Sequence, residues 1–148
     1  MRAAFISGAG EGIGAAIAHH LAEQGIAVAV NDVVEARAAA VADEIQAKGG
    51  QAIALGGDVA DVEQVRAMIA QTVVQFGRLD IAIANAGITS WGDFFDYEQA
   101  SFDRVVGVNL RGSYFTAQAA ARQMREQGTG GRIIFTSSVT GHQAIRYL

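Results

Sequence analysis

Apolar residues along the chain alternate between two rhythms. Short apolar runs recur at residues 3–6, 26–30, 52–55, 79–84 and 133–135, several of them apolar on successive residues. Runs that are apolar on successive positions, rather than on every second one, predict strands covered on both faces. Between them the apolar positions return every three or four residues. Ile13, Ile17 and Leu21 predict a helix over 13–24, ended by Gly25. Ala38, Val41 and Ile45 predict a second over 35–48, ended by Gly49-Gly50. Asp61 with Gln64 reads as a capping box opening a third helix, which Gly77 closes. Asp96 with Gln99 repeats that arrangement and opens a long helical stretch to about Gln127. This strand–helix alternation implies an α/β domain with a parallel sheet and helices on both faces.

Composition narrows the picture. The 148 residues amount to one domain, 1–148, and 51% of them are hydrophobic, enough for a sizeable core. The net charge is −4, with the signs scattered, so no basic stripe invites nucleic acid. There is no cysteine, which excludes a disulfide framework, a thiolate nucleophile and a cysteine metal site. His19 and His20 are adjacent on a predicted helix and His142 is distant, so no metal cluster is expected. No apolar run reaches the length of a membrane span, and the first strand starts by Ala3, leaving no signal peptide. A cytoplasmic protein is the expectation.

The first strand leads into Ser7-Gly8-Ala9-Gly10-Glu11-Gly12-Ile13-Gly14. Alternating glycines between a strand and a helix allow left-handed backbone, close approach of a pyrophosphate and tight helix packing. The free N–H groups at the helix start then face the phosphates. Asp32 lies at the end of the second strand, where an acid accepts hydrogen bonds from an adenosine ribose. Its other reading is a helix N-cap with Glu35 as partner. An acid there repels a 2′-phosphate, which favours NAD over NADP. Glu11 adds a second negative charge, and no arginine or lysine within the turn offsets it. Glycines at 8, 10 and 12 followed by such an acid also fit an S-adenosylmethionine-dependent methyltransferase.

The rest of the chain resembles the short-chain dehydrogenase/reductase family, in its classical type. The matching features are Gly8-x-x-x-Gly12-x-Gly14, Asp58-Val59, Asn85-Ala86-Gly87, Asn109 within Val108-Asn109-Leu110, and Ser137-Ser138. The resemblance implies a Rossmann-type, doubly wound sheet of strand order 3-2-1-4-5. It implies a hydride exchanged between NAD and a secondary alcohol or ketone, or else, without catalysis, an NAD-binding module. Asp58, with Val59 beside it, would hydrogen-bond the adenine, and Asn85, Ala86 and Gly87 would line the cofactor. Asn109 would hold a water in a proton relay and bend its helix. It falls on one helical stripe with Phe102, Val105 and Val106, so its other reading is a core amide satisfied by backbone. Ser138 would hydrogen-bond the reacting oxygen of the substrate, whereas Ser137 is structural. Both serines also suit a turn or cap.

The chain departs from the family at its end. The Tyr-x-x-x-Lys pair does not occur after Ser138, and Tyr147 stands at the wrong spacing. The expectation is a domain truncated before that pair, inactive as it stands, with its fifth strand an exposed edge. The loop after Gly87 carries Trp91, Phe94 and Phe95, which either wall a substrate pocket or pack under the next helix. Residues 139–143, His142 among them, form the other candidate wall. An alanine-rich side on the last predicted helix, similar to family helices that pair between subunits, implies a homo-oligomer, a dimer or tetramer.

Overall fold

The computed structural model describes residues 1–141. Five strands form one parallel sheet: β1 (Ala3–Ile6), β2 (Ala27–Asp32), β3 (Ala52–Gly56), β4 (Ile81–Ala84) and β5 (Arg132–Phe135). Its order is β3-β2-β1-β4-β5, as expected. The helices are α1 (Gly12–Glu23), α2 (Glu35–Ala47), α3 (Val62–Phe76), α4 (Gln99–Val106) and α5 (Ser113–Glu126).

Successive strand residues point to opposite faces, and both faces are covered. Phe5, Ala29, Leu55 and Ala82 pack with Val65, Met68 and Ile69 of α3 and Ala120 and Met124 of α5. Ile6, Val28, Val30 and Ile83 face the other way, onto Ala18 of α1 and Ala38, Val41 and Ile45 of α2. Every residue of β1 and β2 is buried. That double cover is why the strands read as continuous apolar runs. β5 is an edge strand among the described residues, with Ile134 and Phe135 half-exposed.

Polar clamps fix the registers. Asp80 accepts the Ala3 N–H at 2.9 Å and a two-pronged Arg78 guanidinium at 2.8 and 2.6 Å. The hydrogen bond from Arg78 is the main cause that holds the Asp80 carboxyl below its ordinary pKa. Gln127, just past α5, holds both the N–H and the carbonyl of Leu79 ahead of β4.

Asp61 caps α3 as expected, accepting from the N–H groups of Glu63 and Gln64. The Gln64 side-chain amide donates to it as well and is the leading cause of its lowered pKa. The box extends upstream, because the Gln64 Oε1 accepts the Asp58 N–H. Asp96 does not repeat it. α4 begins at Gln99 after Glu98, with no side-chain cap. Asp93 takes the local turn instead, accepting the Phe95 N–H through its carboxylate and the Asp96 N–H through its carbonyl. The long helical stretch is also interrupted: a π turn, Gly107–Gly112, separates α4 from α5.

Candidate active site

β1 has β2 on one side and β4 on the other, so the direction in which successive strands are added to the sheet switches at β1. Open α/β sheets bind ligands in the crevice at such a point. The glycine turn lies there. Gly8 and Gly12 take left-handed backbone, with φ of +61° and +58°. Gly10 and Gly14 are needed for space. A Cβ on Gly10 would sit 2.6 Å from the Arg37 Cβ and 2.7 Å from the Asp32 carboxylate. One on Gly14 would run into the Gly8 carbonyl oxygen and lie 2.7 Å from the Asn85 amide nitrogen.

Asn85 joins three strands at this point. Its Nδ2 donates to the carbonyls of Ser7 and Gly8 at 3.1 and 3.0 Å, and its Oδ1 accepts from the Thr136 hydroxyl at 3.1 Å. The Ser7 Oγ accepts the N–H groups of Asn85 and Ala86. Sequence reasoning singled out neither Ser7 nor Thr136. The available signal was a hydroxyl residue directly after β1 and another directly after β5.

Asp32 is not the cap of α2. Val34 precedes that helix, without a side-chain cap. The Asp32 carboxylate ties the end of β2 to the glycine turn instead, accepting from Gly10 N–H at 3.2 Å and Val34 N–H at 2.9 Å. Each oxygen keeps a lone pair for a further donor. Nor is Glu11 without an offset: Arg37 of α2 reaches back and pairs with it at 3.0 Å. Counting charges within the turn missed Arg37, because α2 folds beside the turn from outside it.

Asp58 accepts the Ala60 N–H at 2.9 Å and pairs with Arg104 of α4 at 3.0 Å. Val59 beside it is buried, and a Cβ on Gly112 would sit 2.8 Å from its side chain. A groove of about 360 Å3 runs from Glu11, Asp32 and Arg37, past Ile13, Gly14, Asp58 and Val59, to Asn85, Ala86, Gly87 and Thr136. Gly8 also lines it, whereas Gly10 and Gly12 shape the turn without lining it.

A second, larger cleft of about 1190 Å3 lies across the wall formed by Asn85, Ala86, Gly87, Ile88 and Thr136, which the two cavities share. Phe94 and Phe95 line it, edge to face with ring centres 5.6 Å apart, while Trp91 does not. Phe102, Val105, Val106 and Asn109 line it too. The expectation of a buried stripe is therefore corrected. These residues are exposed or half-buried because their face of α4 and the π turn borders the open cleft instead of the core. Asn109 accepts the Ile88 N–H at 2.8 Å and donates to the Ile88 carbonyl at 2.9 Å. That leaves its amide one N–H and one lone pair.

Ser138 also lines the cleft. Its Oγ accepts from the Thr140 N–H and hydroxyl at 3.3 and 3.0 Å, at the start of a short 3-10 turn, Val139–Gly141. The serine O–H itself remains a donor. His142 and Tyr147 lie outside the described residues. Among the described residues no set of three His, Cys, Asp or Glu side chains could hold a metal ion, and no helix is long and apolar enough to cross a membrane.

The short chain dehydrogenase family model matches residues 2–147. L-rhamnose 1-dehydrogenase (NAD(P)(+)) of Azotobacter vinelandii is 44% identical over 139 residues, covering 91% of this chain and 54% of that protein. Versicolorin reductase 1 of Aspergillus parasiticus is 49% identical over 140 residues, covering 94% and 52%. Among solved structures, a short-chain type dehydrogenase/reductase from Mycobacterium marinum superposes with a TM-score of 0.94 at 42% identity, covering 98% of this chain and 57% of that one. A 7α-hydroxysteroid dehydrogenase complexed with NADH and 7-oxo glycochenodeoxycholic acid gives 0.93 at 33% identity, covering 99% and 56%. The chain spans about half the length of the curated relatives it matches. With a glycine turn, a carboxylate at the end of β2 and a knitted Asn85 in one crevice, it belongs to the short-chain dehydrogenase/reductase family.

Proposed function

We propose that residues 1–148 are the single cofactor-binding domain of an NAD-dependent oxidoreductase that moves a hydride between a secondary alcohol or ketone and the nicotinamide. The observation that carries this reading is the wall shared by the groove and the cleft. A dinucleotide stretched along the groove would end at Asn85–Gly87, where a substrate in the cleft is also within reach. The groove's chemistry fits such a ligand. Gly8 and Gly14 leave room against the backbone, Asp32 has lone pairs for ribose hydroxyls, and Asp58 has them for an adenine amino group. The bound nicotinamide supplies or accepts the hydride. Ser138 directs its O–H at the substrate oxygen, and Asn109 offers its spare N–H and lone pair to a water of the proton relay. The relay's base is what the family resemblance assigns to a tyrosine–lysine pair.

The NADH in the 7α-hydroxysteroid dehydrogenase structure supports a nicotinamide dinucleotide here, and Asp32 and Glu11 support NAD over NADP. The apolar walls of Phe94, Phe95, Phe102 and Val105 support a small-molecule alcohol or carbonyl substrate. We read the protein as cytoplasmic and homo-oligomeric, the latter because Leu110 and Tyr114 stand exposed on the π turn and α5.

Asp32→Ala tests the ribose contact. Two hydroxyl hydrogen bonds to a charged acceptor disappear, and the acid that repels a 2′-phosphate goes with them. NADH affinity should fall roughly tenfold or more, and the NADH preference over NADPH should shrink by at least as much. Fluorescence titration of both cofactors reads this. An unchanged NADH/NADPH affinity ratio would rule out the ribose role.

A further inference from the structure

We propose that Arg37, held by Glu11, is the residue through which this groove admits a 2′-phosphorylated dinucleotide, so that the Glu11–Arg37 pair sets the size of the NAD preference. This rests on the dinucleotide reading above and deepens it.

The adenosine end of the groove carries three charged groups in one corner: Glu11, Asp32 and Arg37. Asp32 is fixed, because both its oxygens already hold backbone N–H groups. It cannot swing aside for a phosphate. Arg37 is placed differently. Its stem passes directly against Gly10, where the missing Cβ makes room beside the Asp32 carboxylate. Its guanidinium is half-exposed and bonded through one nitrogen to Glu11, which is itself 68% exposed.

Such an exposed pair is weak and screened by solvent. A phosphate dianion offers a guanidinium two parallel, charge-assisted hydrogen bonds, a stronger partner than one exposed carboxylate oxygen. A 2′-phosphate arriving beside Asp32 would therefore draw Arg37 from Glu11. The cost is an unpaired Glu11 near the new dianion, which leaves NAD favoured. The Asp58–Arg104 pair is self-neutral and does not alter this balance.

The experiment is a fluorescence titration of NADH and NADPH against the unsubstituted protein, Glu11→Gln, Arg37→Met and the double variant. A pH near 8 keeps the 2′-phosphate doubly charged, since its second ionisation lies near pH 6. Glu11→Gln should raise the NADPH/NADH affinity ratio roughly tenfold, by releasing Arg37 and removing a repulsive charge. Arg37→Met should lower it roughly tenfold, and the double variant should lose most of the Glu11→Gln gain. If the pair only braces the turn, both affinities move together and the ratio stays within twofold; that overturns the proposal. Binding of neither cofactor by the unsubstituted protein would overturn the dinucleotide reading and the proposal with it.

Discussion

Gly14→Ala is expected to abolish useful cofactor binding, whereas Gly12→Ala weakens it only modestly. The two glycines are two residues apart and needed for opposite reasons. Gly12 has left-handed backbone but nothing within 4 Å of where a Cβ would stand. Alanine there costs only the left-handed strain, about 1–2 kcal/mol. Gly14 has no room, because its Cβ would meet the Gly8 carbonyl, Ala9 and the Asn85 amide. None of these is the far end of a flexible chain that can swing away. Relief requires the start of α1 to move off the turn, at a cost of about 1–3 kcal/mol. That movement would also withdraw the helix N–H groups from the place proposed for the dinucleotide phosphates. NADH affinity should drop roughly 30- to 100-fold in Gly14→Ala and about threefold in Gly12→Ala. Isothermal titration of both variants reads the contrast. A Gly14→Ala protein that binds NADH within threefold of the parent would refute the packing argument.

Asn85→Asp should produce the largest loss of stability among single-atom changes in the site. The substitution keeps shape and replaces the donating Nδ2 by a carboxylate oxygen. That oxygen would stand against the Ser7 and Gly8 carbonyls, where the amide now makes bonds of 3.1 and 3.0 Å. Two hydrogen bonds become two repulsions at a half-buried site. The expected cost is about 3 kcal/mol. For a domain of this size, that lowers the melting temperature by roughly 6–12 °C. The glycine turn loses its tether at the same stroke, so NADH binding should weaken as well. Circular dichroism melts at pH 7 test the stability effect. A shift of less than about 2 °C would mean that Asn85 is not the tether described here.

Much of the fold was legible because its signals are local or periodic. Continuous apolar runs at 3–6 and 26–30 report double burial whatever surrounds them, and the Asp61–Gln64 cap is encoded within one turn of chain. Asp96–Gln99 has the same spacing and failed, because Asp93 offers the preceding backbone a competing turn. Spacing alone cannot rank two caps that compete for one stretch. The stripe of Phe102, Val105, Val106 and Asn109 was periodic as predicted, yet it borders a cleft. Periodicity identifies a shared face but not what covers it.

At the site, the glycines and Asp32 were legible because left-handed backbone, close approach and a carboxylate at the end of β2 call for those residue types. Arg37, Arg104, Ser7 and Thr136 were not. Each acts on a partner from a different part of the chain: Arg37 on Glu11, Arg104 on Asp58, Ser7 and Thr136 on Asn85. Such pairs exist only after α2, α4 and β5 have folded against the turn.

The crevice at the end of β1 is proposed above as a nicotinamide dinucleotide site. A titration of the unsubstituted protein with NADH, followed by fluorescence and repeated with S-adenosylmethionine as competitor, tests it most directly. Saturable NADH binding in the micromolar range, not displaced by S-adenosylmethionine, is the expected result. Absence of NADH binding, or its displacement by S-adenosylmethionine at similar concentration, would contradict it.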